Sequence, residues 1–330
     1  FILGEGEEVN LELMDLYKEM KSKDFGKKDF LRRAAEIDGI YVPSLYKVYY
    51  NDDGTVKEII PQDNVRPIIK KRIIKDFDKV FYPENFVVPF TDIVHDRISV
   101  EVLRGCIRGC RFCQAGFLYR PFREKSPETV CREAETLCGN TGYEEISLAS
   151  LSTSDHSEIG KILTELIPYT EKQHINLSLP SLRVDNFSKE LMDEVKKVRK
   201  SGLTFAPEAG TQRLRNVINK NVTEEEVMRT CRTAFEGGYT SVKLYFMLGL
   251  PTETDEDIVG ITKLAQKIVD LYYSIPGRQK GKGVQVSIST ATFVPKPFTP
   301  FEFEPQATRS EIMHKQETLM NSITSKKIKA

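Results

Sequence analysis

The chain has 330 residues, enough for one large domain or two smaller ones. Hydrophobic residues make up 40% and charged residues 29%, the ordinary profile of a packed globular protein. Lys plus Arg and Asp plus Glu number 48 each, so net charge gives no support for nucleic-acid binding, and no apolar run approaches the ~20 residues that span a bilayer.

The chain opens FILGEGEE without a methionine, as if inside a strand, and ends KKIKA, as if a strand were starting. Both ends are expected to be cut from a longer protein. Residues 7–20 place Val9, Leu13, Leu16, Tyr17 and Met20 at helical spacing after an acidic start. A second short helix is expected over 27–37. YVPSLYKVYYNDDGTVKEII (41–60) reads as a hairpin around Asp-Asp-Gly. Scattered prolines make 61–96 an irregular connector. Within it KKRIIK (70–75) could touch a polyanion, although a solvated face is the ordinary reading of such a run.

From residue 97 short apolar runs alternate with helical patterns. Strands are expected at 98–105, 144–150, 175–181, 203–208, 240–249 and 283–294. Helices are expected at 126–139, 155–172, 188–200, 210–217, 223–236, 254–273 and 308–322. Ser126 and Pro127 open one helix and Gly139 stops it. Thr223 and Glu226 form a capping box. Alternating β and α implies a parallel sheet, closed as a full or partial barrel or lying open between helix layers. In each case chemistry belongs at the carboxyl ends of the strands.

Three of the six cysteines, Cys106, Cys110 and Cys113, crowd into RGCIRGCRFCQAG directly after the first of these strands. Thiolates are soft ligands that suit zinc or an iron–sulfur cluster. A closed zinc site wants four ligands, and no fourth Cys or His follows closely; His95 is a distant candidate. On a cubane, three protein ligands leave one iron open to a small molecule. A three-thiol zinc site and plain core cysteines are the alternatives. Cys131, Cys138 and Cys231 lie in helices and are expected to pack as small buried groups. Gly105 and Gly109 allow tight turns. Phe112 is placed to shield a cluster and face an aromatic ligand. Arg104, Arg108 and Arg111 would surround it with positive charge, or be ordinary loop charges.

RGCIRGCRFCQAG resembles the cluster loop of the radical S-adenosylmethionine (radical SAM) superfamily. SLASLSTSD (147–155), LSLPSLRVD (177–185), TFAPEAGTQRLRNVINKNVTEEE (204–226), YFMLGLPTETDEDI (245–258) and FVPKPFTPFEFEP (293–305) resemble the branch with an N-terminal cobalamin-binding domain, related to radical methyltransferases and methylthiotransferases. FILGEGEEV (1–9) resembles the end of that cobalamin domain. The resemblance implies a partial (β/α)6 TIM-like barrel over 97–330, a small α+β linker region over 21–96 and a cobalamin-domain remnant over 1–20. The cobalamin signature Asp-x-His-x-x-Gly is absent, so cobalamin is expected only through a missing upstream domain.

By the same resemblance, Cys106, Cys110 and Cys113 hold a 4Fe–4S cluster whose free iron chelates SAM. Reductive cleavage then yields a 5′-deoxyadenosyl radical that abstracts hydrogen from a substrate the sequence does not name. Phe112, Ser150, Ser152, Ser178, Arg183, Glu208, Gly249, Leu250 and Pro251 are the implied SAM contacts. No catalytic residue is assigned. Ser154 and Asp155 read as a helix cap, Glu253 as a favourable helix start, and His156 and His174 as structural, with His156 the better candidate for a proton role. Residues 290–305 read as a lid or a rigid loop across the barrel. The implied partners are an external flavodoxin- or ferredoxin-like electron donor and the substrate, in the cytoplasm and without a membrane. Methyl transfer fits better than methylthio transfer, which would need a second cluster on three further upstream cysteines. Action on RNA is the alternative within the enzymes, and a non-catalytic iron–sulfur or zinc module the alternative outside them.

Overall fold

The computed structural model describes residues 1–23, 25–91, 93–179, 203–276, 281 and 283–330. The expected helix at 188–200, together with Arg183, lies outside the described residues. The chain divides into two compact units, Phe1–Tyr82 and Pro83–Ala330.

In the first unit α1 (Gly6–Lys21) buries Val9, Leu16 and Met20. These pack with Ala34 of α2 (Lys27–Ala34) and with Ala35, Ile40, Val42 and Leu45 in one apolar core. β1 (Tyr46–Tyr50) and β2 (Val56–Pro61) form the expected antiparallel hairpin. The opening residues make two isolated bridges, Ile2 to Ile40 and Gly4 to Arg72, rather than a strand. Gly4 is required there. Its φ is +103°, and a Cβ would stand 2.2 Å from the Arg72 carbonyl oxygen. Arg72 in turn reaches Glu8 of α1 at 2.9 Å, so the basic run is partly consumed in holding this unit together.

The second unit begins with β3 (Ile98–Glu101) and β4 (Leu103–Arg104). They replace the single expected strand because the chain turns at Val102. Its N–H donates to Ala149 O (3.1 Å), while its carbonyl accepts the Lys125 N–H (2.9 Å). β4 then pairs antiparallel with β5 (Arg123–Glu124), so residues 105–122 leave and return as a closed excursion carrying the three cysteines. A four-residue helix, α3 (Ala115–Leu118), lies inside it.

α4 (Pro127–Thr141) starts on the Ser126 cap as expected. It stops at Gly142, at φ +72°, and not at Gly139, which lies within the helix. β6 (Glu145–Ala149) pairs parallel with β3 and with β7 (Asn176–Ser178). Between them α5 (Ile159–Gln173) begins four residues later than expected, because Thr153–Asp155 form a separate 3-10 turn. His174 closes α5 at φ +58°.

β8 (Leu203–Glu208), α6 (Gln212–Val217), α7 (Glu224–Glu236), β9 (Ser241–Leu248), α8 (Asp255–Ser274), β10 (Gln285–Thr292), α9 (Arg309–Asn321) and β11 (Ile328–Lys329) complete the chain. The Thr223–Glu226 capping box is present. β11, β10, β9 and β8 lie in that order in a second parallel sheet. Ile146, Leu148, Val242, Leu244, Val286 and Ile288 are buried in the two sheets. This is the α/β, parallel-stranded architecture of a partial TIM-like barrel; among the described residues no pairing joins β7 to β8.

Gly210 is fixed by a close approach. A Cβ there would stand 2.3 Å from Asp257 O and from Ile261 N. The loop after β8 therefore lies backbone-to-backbone on α8, opposite Gly260.

Candidate cluster and cofactor site

None of the three loop cysteines is in a disulfide; Cys110 is buried and Cys106 and Cys113 are half-buried. A turn bond from Cys113 N–H to Cys110 O (3.1 Å) sets the second pair. Gly105 stands at φ +93°, with the Tyr119 and Pro121 carbonyl oxygens 2.7 and 2.9 Å from where a Cβ would be. A side chain is therefore excluded at the root of the loop. The small residues after Cys113 have a similar cause: Gly116 is buried under the Arg108 carbonyl.

The three arginines do not form an unpaired positive shell. Arg104 is paired with Glu101 (2.7 Å). Arg108 Nε donates to the buried Asp155 (3.0 Å), which is why Asp155 does not cap α5. Arg111 Nη1 donates to Val217 O (2.6 Å). Arg108 and Arg111 hold the loop to neighbouring connections, while Arg104 pairs locally with the end of β3.

Among the described residues no three His, Cys, Asp or Glu side chains converge closely enough for a single metal ion. His95 is bonded to Arg97 (2.8 Å). The other cysteines pack as expected. Burial pushes the thiol of Cys131 up to about 12, that of Cys138 to about 11 and that of Cys231 to about 12. They remain neutral thiols, whereas a ligand must be a thiolate.

After β6, Ser150 Oγ and Thr153 Oγ1 share a hydrogen bond (2.8 Å), and Thr153 also donates to Leu148 O (3.2 Å). Ser152 Oγ is buried with no hydrogen-bond partner among the described residues, a polar atom left for something else to satisfy. Ser178 ends β7, half-buried and paired with Ser147. Glu208 ends β8 at φ +68° and receives Lys220 Nζ (3.2 Å). His156 is structural: Nδ1 accepts the Glu158 N–H (3.1 Å), and Nε2 faces Lys125 O (2.9 Å). Neither nitrogen is left to move a proton.

After β9, Gly249 adopts φ +83° and its N–H is committed to the Glu253 carboxylate (2.7 Å). Glu253 is not a solvated helix start. It is buried, paired with Lys315 of α9 (3.0 Å), and burial raises its pKa against the pull of the Gly249 N–H and Lys315. Thr254 and Asp257 cap α8 instead. Leu250 is a core residue. It packs with Ala209, Leu214, Ile218, Phe293 and Phe301, and Phe112 lies against this cluster. Pro251 is half-buried beside it.

The segment after β10 is docked onto the cysteine loop. Phe301 N–H donates to Arg111 O (3.3 Å), Gln114 Nε2 to Pro297 O (3.2 Å), and Phe293 meets Phe301 edge-on at 6.0 Å. The carboxyl ends of β8, β9 and β10 thus converge on Phe112, one residue before Cys113.

A model of the radical SAM superfamily matches residues 100–265, just over half of the chain. The chain belongs to the radical SAM superfamily. A second model, of the N-terminal part of radical SAM proteins, matches residues 1–43. An uncharacterized protein of Methanocaldococcus jannaschii is 31% identical over 255 residues, covering 77% of this chain and 52% of that protein. An uncharacterized methyltransferase of Pyrococcus horikoshii is 24% identical over 262 residues, 74% of this chain and 50% of its own. The cobalamin-dependent radical SAM enzyme OxsB shares the fold: TM-score 0.52 at 15% identity, over 94% of this chain and 44% of that one. This radical SAM chain spans about half the length of the curated relatives it matches. Membership implies a 4Fe–4S cluster and SAM, a substrate and a source of electrons.

Sequence reading missed Asn219, which reaches the cysteine loop from beyond β8 (Nδ2 to Gly109 O, 2.8 Å). It missed Asp155 as the partner of Arg108 and Lys315 as the partner of Glu253. Asn219 had a signal, an Asn-Lys-Asn run in a stretch that resembles the family. The other two are long-range pairs with none.

Proposed function

We propose that the chain is a radical SAM enzyme in which Cys106, Cys110 and Cys113 hold a 4Fe–4S cluster. The observation that carries this is three cysteines outside any disulfide on a closed excursion at the carboxyl end of a parallel sheet. A cubane needs its thiolates spread to separate corners, and the absence of carboxylates among them suits iron–sulfur rather than hard cations. When bound, the cluster supplies the electron that cleaves SAM reductively.

The protein's own part is to hold and to exclude. Phe112, packed on Leu250 and Phe293, walls the cysteine loop off from water. Ser152 Oγ, buried and without a partner, is the best-placed described hydroxyl for a polar end of SAM, with Ser150, Ser178 and Glu208 at neighbouring strand ends. Gly249, Leu250 and Pro251 would let the backbone approach the adenine edge, with the Gly249 N–H already spent on Glu253. Arg183 stays in this proposed set on its resemblance alone.

Methyl transfer is the reaction we favour, supported by the methyltransferase among the relatives and by the cobalamin-dependent neighbour of like fold. Residues 1–20 are read as the end of a cobalamin-binding domain, 21–96 as linker and 97–330 as the radical SAM core. Cobalamin would then come from residues upstream. A reducing cytoplasm, and a flavodoxin- or ferredoxin-like donor, fit cysteines outside disulfides and a cluster that needs electrons. Among the described residues no helix is long and apolar enough to cross a membrane.

Anaerobic reconstitution tests the reading. Iron and sulfide at about four each per chain, with 5′-deoxyadenosine released from SAM after reduction, are expected. One zinc per chain and no cleavage would sink it.

A further inference from the structure

Cys110 is held from both sides by one stretch of chain. Asn219 Nδ2 donates to Gly109 O at 2.8 Å. Ile218 O accepts the Arg111 N–H at 3.0 Å, and Val217 O accepts Arg111 Nη1 at 2.6 Å. The Gly109 carbonyl belongs to the peptide before Cys110 and the Arg111 N–H to the peptide after it. Each peptide is planar. Gripping one atom of each therefore restrains both planes that meet at the Cys110 Cα, and with them the direction of its Cα–Cβ bond.

The gripping segment is itself rigid. Ile218 is fully buried among Ala209, Leu214, Leu250, Phe293 and Phe301. Asn219 N–H closes on Asn216 O (3.1 Å). Asn219 stands at φ +52°, in the left-handed region where asparagine is one of the few tolerated side chains. Two of the three bonds use main-chain carbonyls, so Asn219 is the side chain through which this grip can be altered from the strand-end segment.

We infer that Asn219 is a positioning residue for the Cys110 thiolate, fixing the loop that receives the cluster. This rests on the proposal that Cys110 is a cluster ligand. Asn219 touches neither cluster nor cofactor in this role; it acts through the Gly109–Cys110 peptide.

The test uses the full chain, reconstituted without oxygen, and three variants. Asn219→Gly keeps the left-handed backbone and removes the amide. Asn219→Asp keeps the shape and turns the donor into an acceptor facing the Gly109 carbonyl. Asn221→Gly is the control, an exposed asparagine at φ +51°. The readouts are the rate at which a chelator strips iron, the midpoint potential of the cluster and the melting temperature of the metal-free chain. Both Asn219 variants are expected to lose iron about tenfold faster, the scale of one lost hydrogen bond, with a shifted potential. Asn221→Gly is expected to match the parent, and the metal-free Asn219→Gly to melt with it. Parental iron retention and potential in both Asn219 variants would overturn the inference and leave the cluster reading standing. Iron loss that merely tracks a lower melting temperature would overturn it too. A parent chain that assembles no cluster would overturn both.

Discussion

Arg108, two residues after Cys106, places its Nε 3.0 Å from the Oδ2 of Asp155, whose side chain is fully buried behind β6. The pair ties the cysteine excursion to the connection that carries Ser150 and Ser152. Arg108→Ala would take the guanidinium from a carboxylate removed from water, a change that costs about 3 kcal/mol in buried pairs. Thermal unfolding of the metal-free chain is expected to show that loss. Unchanged melting would mean that the pair contributes no net stability.

Five of the six thiols should separate by environment. At about pH 8 the half-buried Cys106 and Cys113 are expected to take up iodoacetamide in the native metal-free chain. Cys131, Cys138 and Cys231, whose burial pushes their pKa values up to about 12, 11 and 12, stay protonated and react only after unfolding. Peptide mass mapping with and without denaturant reads the difference. Early labelling of Cys231 would contradict the packing described here.

Asp257 sets an acid limit. Burial pushes its carboxyl up, but hydrogen bonds from Thr211, Arg213 and Thr254 outweigh that, and its pKa lies below the ordinary 3.8. A depressed folded value means stability that is fully present above 3.8 and lost as pH falls through the lower folded value. Asp257→Asn is expected to flatten that acid limb and to cost about 2 kcal/mol at neutral pH through the lost charged hydrogen bonds and cap. Urea midpoints measured across the acid range decide it.

Two glycines should respond in opposite directions to alanine. At Gly210 a methyl group would meet the Asp257 and Ile261 backbone at 2.3 Å, and the forced separation of loop and helix is expected to cost about 3 kcal/mol. Gly139 lies inside α4 with nothing within 4 Å of an added Cβ. There alanine is expected to stabilise by about 1 kcal/mol through helix propensity. Denaturant midpoints of the two variants should move apart, and a shared sign would sink the argument.

What could be read early was whatever a short window of residues encodes. Ser126-Pro127 and Thr223 with Glu226 announce their helices because a cap is satisfied within one turn. The hairpin and the strands at 203–208, 240–249 and 283–294 stand close to where alternation put them. Gly139 misled because a glycine near a helix end can be tolerated inside it, while the stop needs a left-handed residue, found three positions on. Asp155 misled because a cap competes with a distant arginine, and the arginine is invisible locally.

By itself the sequence determined the alternation of strand and helix, the three cysteines at CxxxCxxC and their place after the first strand of the series. Each of these depends on backbone propensity or on residues a few positions apart. Only the tertiary structure decided that Arg108 and Arg111 are ties rather than part of a charged shell. It alone decided that Glu253 is buried under Lys315, and that Asn219 holds the peptide before Cys110. Those pairings join residues up to 110 positions apart, and what selects them is the burial of apolar side chains such as Ile218 and Phe293, which brings the strand ends together and obliges the polar groups there to find partners in one another.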